Sequence, residues 1–392
     1  MKSIAARREG SALRMSPDVY EIVGRIVLGA DRNHPADNLL REELRAQRSL
    51  ARSDAALASK AVFAWFRWRG WLNERETVRE QVNCALELAD RFARKPESFS
   101  DNDLVARAVP GWVAGEMEIT PAWVRSLQAE PRLWLRAKRG QAATVAAKLG
   151  DCHAFGTAPL ADTLEYRGRE DLFLTAAFHA GEFELQDLSS QAVGLICEAQ
   201  PGQTWWDACA GEGGKTLHLS EMMENKGMLW VSDRAAWRLQ KLKRRAARAR
   251  VFNYRAALWD GGARLSTKTK FDGVLMDAPC SGIGTWQRNP HARWTTTIED
   301  VKELAAVQKQ LLANAVPAVK RGGRLIYAVC TLARSETLEV AGDFQRRFSE
   351  FEPLALHDPL NPASPAATQI WCRPEQFGGS GMFVAAWIRR GG

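Results

Sequence analysis

Two cysteines stand at positions where a thiol could react. The stretch DAPCSG at 277–282 and the stretch YAVCTL at 327–332 each have the pattern of a buried strand that ends on a cysteine, Cys280 in the first and Cys330 in the second. The carboxyl ends of neighbouring parallel strands form one edge of a sheet, where such sheets bind ligands. The pattern therefore predicts two thiols at one pocket, and a thiolate can act as a covalent nucleophile.

A glycine-rich segment, ACAGEGGKT at 208–216, follows a predicted strand that ends at Asp207. Glycines there let the backbone approach a ligand at the N-terminus of the next helix. The spacing is neither that of a phosphate loop nor that of the dinucleotide fingerprint, which favours a nucleotide-like ligand without a pyrophosphate. The residues predicted to line this ligand are Cys209, Ala210, Gly211, Glu212, Gly213, Gly214 and Lys215.

Acids end three successive predicted strands, at Asp207, Asp233 and Asp260. At the second strand end a carboxylate can accept both ribose hydroxyls, and at the third it can contact an adenine edge. One such acid alone is as well explained by a helix cap or a turn, but three together favour a binding site for S-adenosylmethionine. Arg238 and Asp277 complete the predicted cofactor contacts.

A thiol and a methyl sulfonium suit one reaction in particular. C5 of cytosine is a poor nucleophile, so a thiolate must first add to C6 before C5 can accept a methyl group. A proton must then leave C5 and the thiol must be expelled, which a general base can assist.

The chain resembles the RNA cytosine-5 methyltransferases of the RsmB/Sun type over about residues 130–392. The resemblance lies in DACAGEGGKT, in the Ser-Asp pair at 232–233, in DAPCSGIGTWQRNPHARW and in YAVCTLARSE, with PRLWLR and ELQDLSSQA upstream. It implies that Cys330 attacks C6, that Cys280 assists release of the product, that Asp277 hydrogen-bonds the cytosine and that Lys215 orders the site. The family usually has Ala-Pro where this chain has Gly211-Glu212, which places a negative charge beside a cationic cofactor.

Several basic residues are predicted to contact RNA. The segment GTWQRNPHARW at 284–294 combines cations with two tryptophans, a composition suited to phosphate contact and base stacking. Trp294 could equally belong to the core, whereas Arg288 is harder to bury unpaired. Arg136 and Lys138 lie in the upstream module that contacts RNA in the family. The basic run at 238–250 is instead expected to be a solvated helix face.

The elements that must position these residues form three predicted regions. Residues 1–125 show helical periodicity and are expected to form an all-α domain, which faintly resembles the NusB-like RNA-binding domain of bacterial 16S rRNA members of the family. Residues 126–190 are expected to form a small α+β module. Residues 191–392 alternate strand and helix, which predicts an α/β doubly wound, Rossmann-like methyltransferase domain.

Composition sets the remaining expectations. The 392 residues carry 54 Lys+Arg against 46 Asp+Glu, a net charge of +8 that favours a polyanionic partner. No apolar run is long enough to cross a membrane, and residues 1–18 lack the apolar core of a signal peptide, so a cytoplasmic protein is expected. The seven cysteines include no C-x-x-C pair, so reduced thiols and no metal site are expected. We also expect a monomer.

The function expected from the sequence is methyl transfer to C5 of a cytosine in RNA, with 16S ribosomal RNA favoured because of the helical N-terminal region. The alternatives are a tRNA cytosine-5 methyltransferase and a catalytically silent RNA-binding factor for ribosome assembly. DNA methylation is disfavoured, because enzymes acting on DNA place the nucleophile in a Pro-Cys motif and Cys330 would then have no role.

Overall fold

The computed structural model describes residues 15–47, 49–156, 158–265 and 267–391. The expectation that the protein has no signal peptide was based on residues 1–18, and most of these residues lie outside the described part. The first third of the described chain is helical. Its α-helices are α1 (Pro17–Gly29), α2 (Ala36–Ala46), α3 (Arg52–Arg67), α4 (Val78–Arg94), α5 (Asp101–Arg107) and α6 (Pro121–Gln128).

Local sequence signals explain where these helices begin. Ser16 caps α1 by accepting a hydrogen bond from the Val19 amide at 3.4 Å, and Pro17 occupies the first helical position, as the Ser-Pro pair predicts. Helix α4 begins with a reciprocal capping box between Thr77 and Glu80. Each cap satisfies amide groups that have no partner within the helix.

A small antiparallel sheet follows the helices. Its elements are β1 (Leu133–Ala137), α7 (Ala142–Leu149), β2 (Cys152–Ala154), β3 (Thr163–Tyr166), α8 (Ala176–His179) and β4 (Phe183–Leu185). The strand order is β2-β3-β1-β4. The segment AAFHAGEFELQD at 176–187 begins with the helical turn α8, capped by Thr175, and only its residues 183–185 join the sheet.

The remaining chain builds a mixed sheet of eight strands with helices on both faces. Its strands are β5 (Thr204–Asp207), β6 (Met228–Asp233), β7 (Tyr254–Leu258), β8 (Phe271–Asp277), β9 (Val319–Val329), β10 (Phe351–Pro353), β11 (Gln369–Cys372) and β12 (Met382–Arg389). Its helices are α9 (Leu188–Ile196), α10 (Gly214–Met222), α11 (Ala236–Ala249), α12 (Ala292–Thr295), α13 (Ile298–Ala315), α14 (Leu338–Arg347) and α15 (Pro374–Phe377).

The order of the strands creates a crevice at the carboxyl end of the sheet. The order is β10-β12-β9-β8-β5-β6-β7, with β11 also paired to β12. Strands β5 to β9 are parallel, whereas β12 runs antiparallel to β9. The chain proceeds outward from β5 to β7 and then crosses to β8 on the other side of β5, so the direction reverses between β5 and β8. Open α/β sheets bind ligands at such a reversal. The predicted Rossmann-like α/β fold is thus confirmed.

The helical region packs directly on the large sheet's loops. One hydrophobic cluster contains Val23, Phe66 and Trp123 from the N-terminal helices together with Trp286 and Leu332 from the loops that follow β8 and β9. Burial of this shared surface stabilises both regions at once. Among the described residues, no helix is long and apolar enough to span a bilayer, and no group of three or more His, Cys, Asp or Glu is arranged to hold a metal ion.

Candidate active site

The loop between β5 and α10 forms one wall of the crevice. Gly213 precedes α10 with φ +88°, and a Cβ there would lie 2.6 Å from Leu242 Cγ, so glycine meets both a conformational and a steric requirement. Asp207, at the end of β5, is buried and accepts a hydrogen bond from the Thr216 hydroxyl at 2.6 Å. Its other carboxylate oxygen has no partner among the described residues. Burial raises the pKa of Asp207 to about 7.

Lys215 and Asp277 form an ion pair across the crevice. Lys215 lies in the first turn of α10 and Asp277 at the end of β8, and the Nζ to Oδ2 distance is 2.6 Å. Burial lowers the pKa of Lys215, but the charge of Asp277 and the hydrogen bond to it outweigh that effect, so the pKa lies above its ordinary value. Lys215 Nζ also lies 3.5 Å from the Ser190 hydroxyl of α9. Two residues predicted separately for the site are thus brought together, and the raised pKa favours the charged form of Lys215.

The two cysteines lie in contact. The Sγ atoms of Cys280 and Cys330 are 3.3 Å apart, and both thiols are free. A hydrogen bond from the Cys280 thiol lowers the pKa of Cys330, and Lys215 acts on it in the same direction. The same hydrogen bond, together with burial, raises the pKa of Cys280. Of the two thiols, Cys330 is therefore the one that loses its proton more readily.

The remaining predicted cofactor residues lie along the same edge. Asp233 ends β6 and accepts the Gly211 amide at 3.0 Å, while Arg238 approaches the same carboxylate oxygen at 3.8 Å. Asp260 follows β7 on the exposed side and accepts only the Gly262 amide, at 2.8 Å, in a local turn.

The unusual Glu212 is neutralised locally, because its carboxylate pairs with Lys241 of α11 at 2.6 Å. Lys241 therefore offsets the charge that Glu212 adds to the loop. Cys209, beside Ala210 in the same loop, packs its sulfur 3.8 Å from Met276 Sδ, and burial raises the pKa of its thiol. Cys209 is accordingly a partly buried residue in the wall of the site, and its thiol ionises less readily than a free one.

The residues predicted to contact RNA fall in different places. Arg288 is exposed and is held by Ser380 Oγ at 2.5 Å and by Asp187 Oδ2 at 3.3 Å. Arg136 is 6% exposed, bound to Gln186 Oε1 at 2.7 Å and paired with Glu221. Its burial contradicts the expectation that it contacts RNA, because its guanidinium is bound to Gln186 and Glu221 within the protein.

Lys138 lies far from the thiols. It lines a groove of about 390 Å³ with Glu221 and Arg250, and burial together with the charge of Arg250 lowers its pKa. Because α10 starts at the crevice and runs antiparallel to the strands, Glu221 in its last turn marks the opposite end of the sheet. An RNA contact at Lys138 would therefore involve a part of the RNA distant from the reacting base.

The segment GTWQRNPHARW was predicted to face RNA, but most of it faces the N-terminal helices. Trp286 and Arg293 are fully buried, and the Trp294 indole donates to Phe66 O at 2.6 Å. The expectation was wrong for Trp286 and Arg293 because their partners in the N-terminal helices lie more than 150 positions upstream, where no local pattern reveals them. Trp294 takes the core position that the sequence left open.

A buried polar cluster beneath the thiols was not singled out in the sequence. It comprises Ser281, Gln308, Tyr327, Thr331 and Glu336. An available signal was the acid Glu336, which stands six positions after Cys330 inside the stretch that carries the family resemblance.

Comparisons with known proteins identify relatives of this chain. Residues 195–388 match the model of a family described as 16S rRNA methyltransferase RsmB/F. The chain is 34% identical over 229 residues to the probable ribosomal RNA small subunit methyltransferase B of Bacillus subtilis (strain 168), covering 55% of this chain and 50% of that relative. It is 31% identical over 214 residues to the tRNA (cytosine(72)-C(5))-methyltransferase NSUN6 of Mus musculus, covering 51% and 41%. The chain spans about half the length of the curated relatives it matches.

Solved structures show the same fold. The crystal structure of PH0851 superposes with a TM-score of 0.79 at 20% identity over 97% of this chain and all of that one. A methyltransferase homolog protein from Pyrococcus horikoshii gives 0.56 at 23% identity, covering 69% and 90%. Fold and family match together place the chain among proteins with the Rossmann-like methyltransferase fold. Through residues 195–388 the chain belongs to the RsmB/F family.

Proposed function

We propose that this protein methylates C5 of a cytosine in RNA, and that small-subunit ribosomal RNA is its substrate. The observation that carries the proposal is the contact between two free thiols, at 3.3 Å, beside the Lys215–Asp277 pair. A methyltransferase acting on a more nucleophilic atom would need no thiol, whereas C5 of cytosine needs one. The name of the matched family and that of the Bacillus subtilis relative favour ribosomal RNA.

The residues present fit the cofactor. Gly211 and Gly213 open the backbone, Asp233 ends β6, and Asp207 keeps one buried oxygen without a partner in the described chain. We infer that the remaining contacts come from Cys209, Ala210, Glu212, Gly214, Arg238 and Asp260. S-adenosylmethionine, when bound, supplies an electrophilic methyl group on a sulfonium sulfur.

Each side chain of the centre has a separate task in the proposed reaction. The Cys330 thiolate adds to C6, forming an S–C6 bond and moving the C5–C6 π electrons towards C5 and the ring. Asp277 binds the cytosine edge, and Lys215 orients Asp277. After C5 is methylated, a base takes its proton, the C5–H electron pair re-forms the C5–C6 double bond, and the S–C6 bond breaks with its electron pair returning to the Cys330 sulfur. Cys280 assists this release by donating a hydrogen bond to that sulfur.

The test of the substrate is bisulfite sequencing of total RNA from cells with and without the gene. A cytosine of 16S ribosomal RNA that loses protection in the deletion strain is the expected result. Loss at a tRNA position instead, which the similarity to NSUN6 makes the second candidate, would overturn the choice of ribosomal RNA and leave the chemistry standing. If no cytosine in any RNA loses protection, the proposed methyltransferase activity is contradicted and the catalytically silent assembly factor is favoured.

The two thiols are separated by substitution. Cys280→Ala is expected to accumulate a covalent RNA adduct, because release is impaired, and Cys330→Ala to form none. Adducts are measured as slowed protein bands on denaturing gels with labelled RNA and S-adenosylmethionine. Cys84→Ala, on helix α4 of the N-terminal region, is the matched control and should behave as the unmodified protein. Equal loss of adduct in both site variants would contradict the assigned roles.

A further inference from the structure

Glu336 is a fully buried carboxylate in the turn between β9 and α14. One of its oxygens accepts the Ser281 amide at 2.8 Å and the Gln308 side-chain amide at 3.0 Å. The other accepts the Ser281 hydroxyl. Burial raises the pKa of Glu336, and the donated hydrogen bonds oppose part of that effect by favouring the ionised carboxylate.

These contacts grip the loop that carries Cys280 from both sides. Ser281, the next residue, is bound through its amide and its hydroxyl to Glu336. Pro279, the preceding residue, accepts a hydrogen bond at 2.9 Å from the Gln308 side chain, which is itself bound to Glu336. The position of Cys280 is thereby fixed by a carboxylate that does not touch its thiol.

The same cluster reaches the end of β9, which carries Cys330. The Ser281 hydroxyl lies 3.0 Å from the hydroxyl of Thr331, the residue after the nucleophile. The Tyr327 hydroxyl of β9 donates at 2.5 Å to the main-chain oxygen of Glu336. The two thiol-bearing segments, fifty positions apart, are thus tied to one buried group.

The charges around the thiols are unequal. Cys330 is stabilised as a thiolate by the hydrogen bond from Cys280 and by Lys215, which outweigh the opposing effects of burial, Asp277 and Glu336. The hydrogen bond to Cys330, burial and the charge of Glu336 raise the pKa of Cys280, and the Gly282 amide opposes them only in part. The other titratable group packed against the cluster is the Tyr327 phenol, whose pKa burial raises, so it stays neutral.

We propose that Glu336 is a positioning residue of the two-thiol centre, which holds Cys280 against Cys330 in the arrangement where the Cys280 thiol donates to the Cys330 sulfur. The inference deepens the proposed function, on which its catalytic meaning rests. This arrangement makes and breaks no covalent bond. The Cys280 sulfur keeps its proton and donates it in a hydrogen bond to the Cys330 sulfur.

The test is alkylation of the purified full chain by iodoacetamide between pH 6 and 9, without RNA, with each cysteine followed by mass spectrometry. The unmodified protein should react at Cys330 at lower pH than at Cys280. In Glu336→Gln, which keeps the shape and loses the charge, the preference for Cys330 should fall about tenfold, the equivalent of one pKa unit. Unchanged pH profiles for both thiols would overturn the proposal.

Two further variants separate positioning from stability. Glu339→Gln, on the exposed face of α14, removes an acid three positions away and should keep the preference. Glu336→Asp keeps the charge and should restore most of the preference, whereas a purely structural role predicts that both Glu336 variants lose it equally. If Glu336→Gln does not fold, Glu336→Asp and Gln308→Ala are used instead. An unchanged preference for alkylation at Cys330 in Gln308→Ala would contradict the proposal that these hydrogen bonds position Cys280. If the protein proves to have no methyltransferase activity, the proposed function is wrong. The ratio of iodoacetamide reaction at Cys330 to that at Cys280 can still be measured, so the two failures are distinguishable.

Discussion

Asp207, Asp233 and Asp277 end three strands of one sheet, yet their surroundings differ. Asp277 is paired with an ammonium group, Asp233 accepts main-chain amides, and Asp207 has one hydroxyl for two oxygens. A hydrogen-bonded or paired carboxylate keeps its charge, whereas a buried one with few donors tends to be protonated. Residue type and spacing predicted that all three stand at strand ends, but only the folded surroundings show which donors each carboxylate receives and why the pKa of Asp207 is raised.

The stability of the protein should depend on pH through Asp207. Its pKa is raised to about 7, so the folded state binds this proton more tightly than the unfolded chain. This contribution is fully present below the unfolded pKa of about 4 and is lost as pH rises through 7. Between pH 5.5 and 8 the free energy of unfolding should fall by about 2 kcal/mol from this group.

Urea unfolding of the cofactor-free protein at the two pH values measures this effect. Asp207→Asn cannot ionise and should lose that part of the pH dependence, while Asp90→Asn, at an exposed position of α4, should keep it. The same pH dependence in Asp207→Asn as in the unmodified protein would show that another group is responsible.

At the scale of elements, three helix ends converge on one side chain. Arg293 of α12 donates to the main-chain oxygens of Arg67 at the end of α3, Ala108 after α5 and Leu127 in the last turn of α6, at 3.3, 2.9 and 3.1 Å. The last carbonyls of a helix lack partners within it and carry partial negative charge. A buried guanidinium therefore serves as a common cap, and its pKa, lowered by burial to about 9, still leaves it protonated at neutral pH.

Replacing this cap should destabilise the protein without touching the thiols. Arg293→Met preserves the packing but leaves buried carbonyl groups without a donor, which should lower the free energy of unfolding by about 3 kcal/mol. Arg293→Lys, with fewer donors and a shorter reach, should lose less. Denaturant unfolding measures both, with the exposed Arg264→Ala as the control. A loss below about 1 kcal/mol in Arg293→Met would contradict the capping role.

Elements with a strong periodic pattern could be predicted from the sequence, and contacts between distant elements could not. The apolar spacing of α1 and the alternation of strand and helix after residue 190 reflect local rules, and both were confirmed. Arg136 and Arg293 look like RNA contacts because arginine is usually exposed, and only their tertiary partners bury them. Glu336 was missed for the same reason, since its partners lie on three separate segments.

At the scale of the molecule, the helical region and the large sheet share a core. The cluster that joins them includes fully buried Trp68 and Trp123 on one side and Trp286 on the other. The interface also holds the buried Arg67, which donates to the main-chain oxygen of Gln287 at 3.3 Å. Whether residues 1–125 form a NusB-like RNA-binding domain stays a prediction, but their described helices are packed as part of the structure that supports the active site.

This shared core should make unfolding a single event. Because neither region buries its half of the interface alone, separating them would expose several large aromatic side chains to water, and each fully buried one contributes about 2 to 3 kcal/mol. We therefore expect the free energies and midpoints of urea unfolding to coincide when followed by far-ultraviolet circular dichroism, which reports helices throughout, and by tryptophan fluorescence. A fragment of residues 131–391 should bind a hydrophobic dye and unfold at lower urea than the full chain. Two separated transitions in the full chain, with a fragment as stable as the intact protein, would mean that the N-terminal helices are an independent domain and that the active site does not depend on them for its shape.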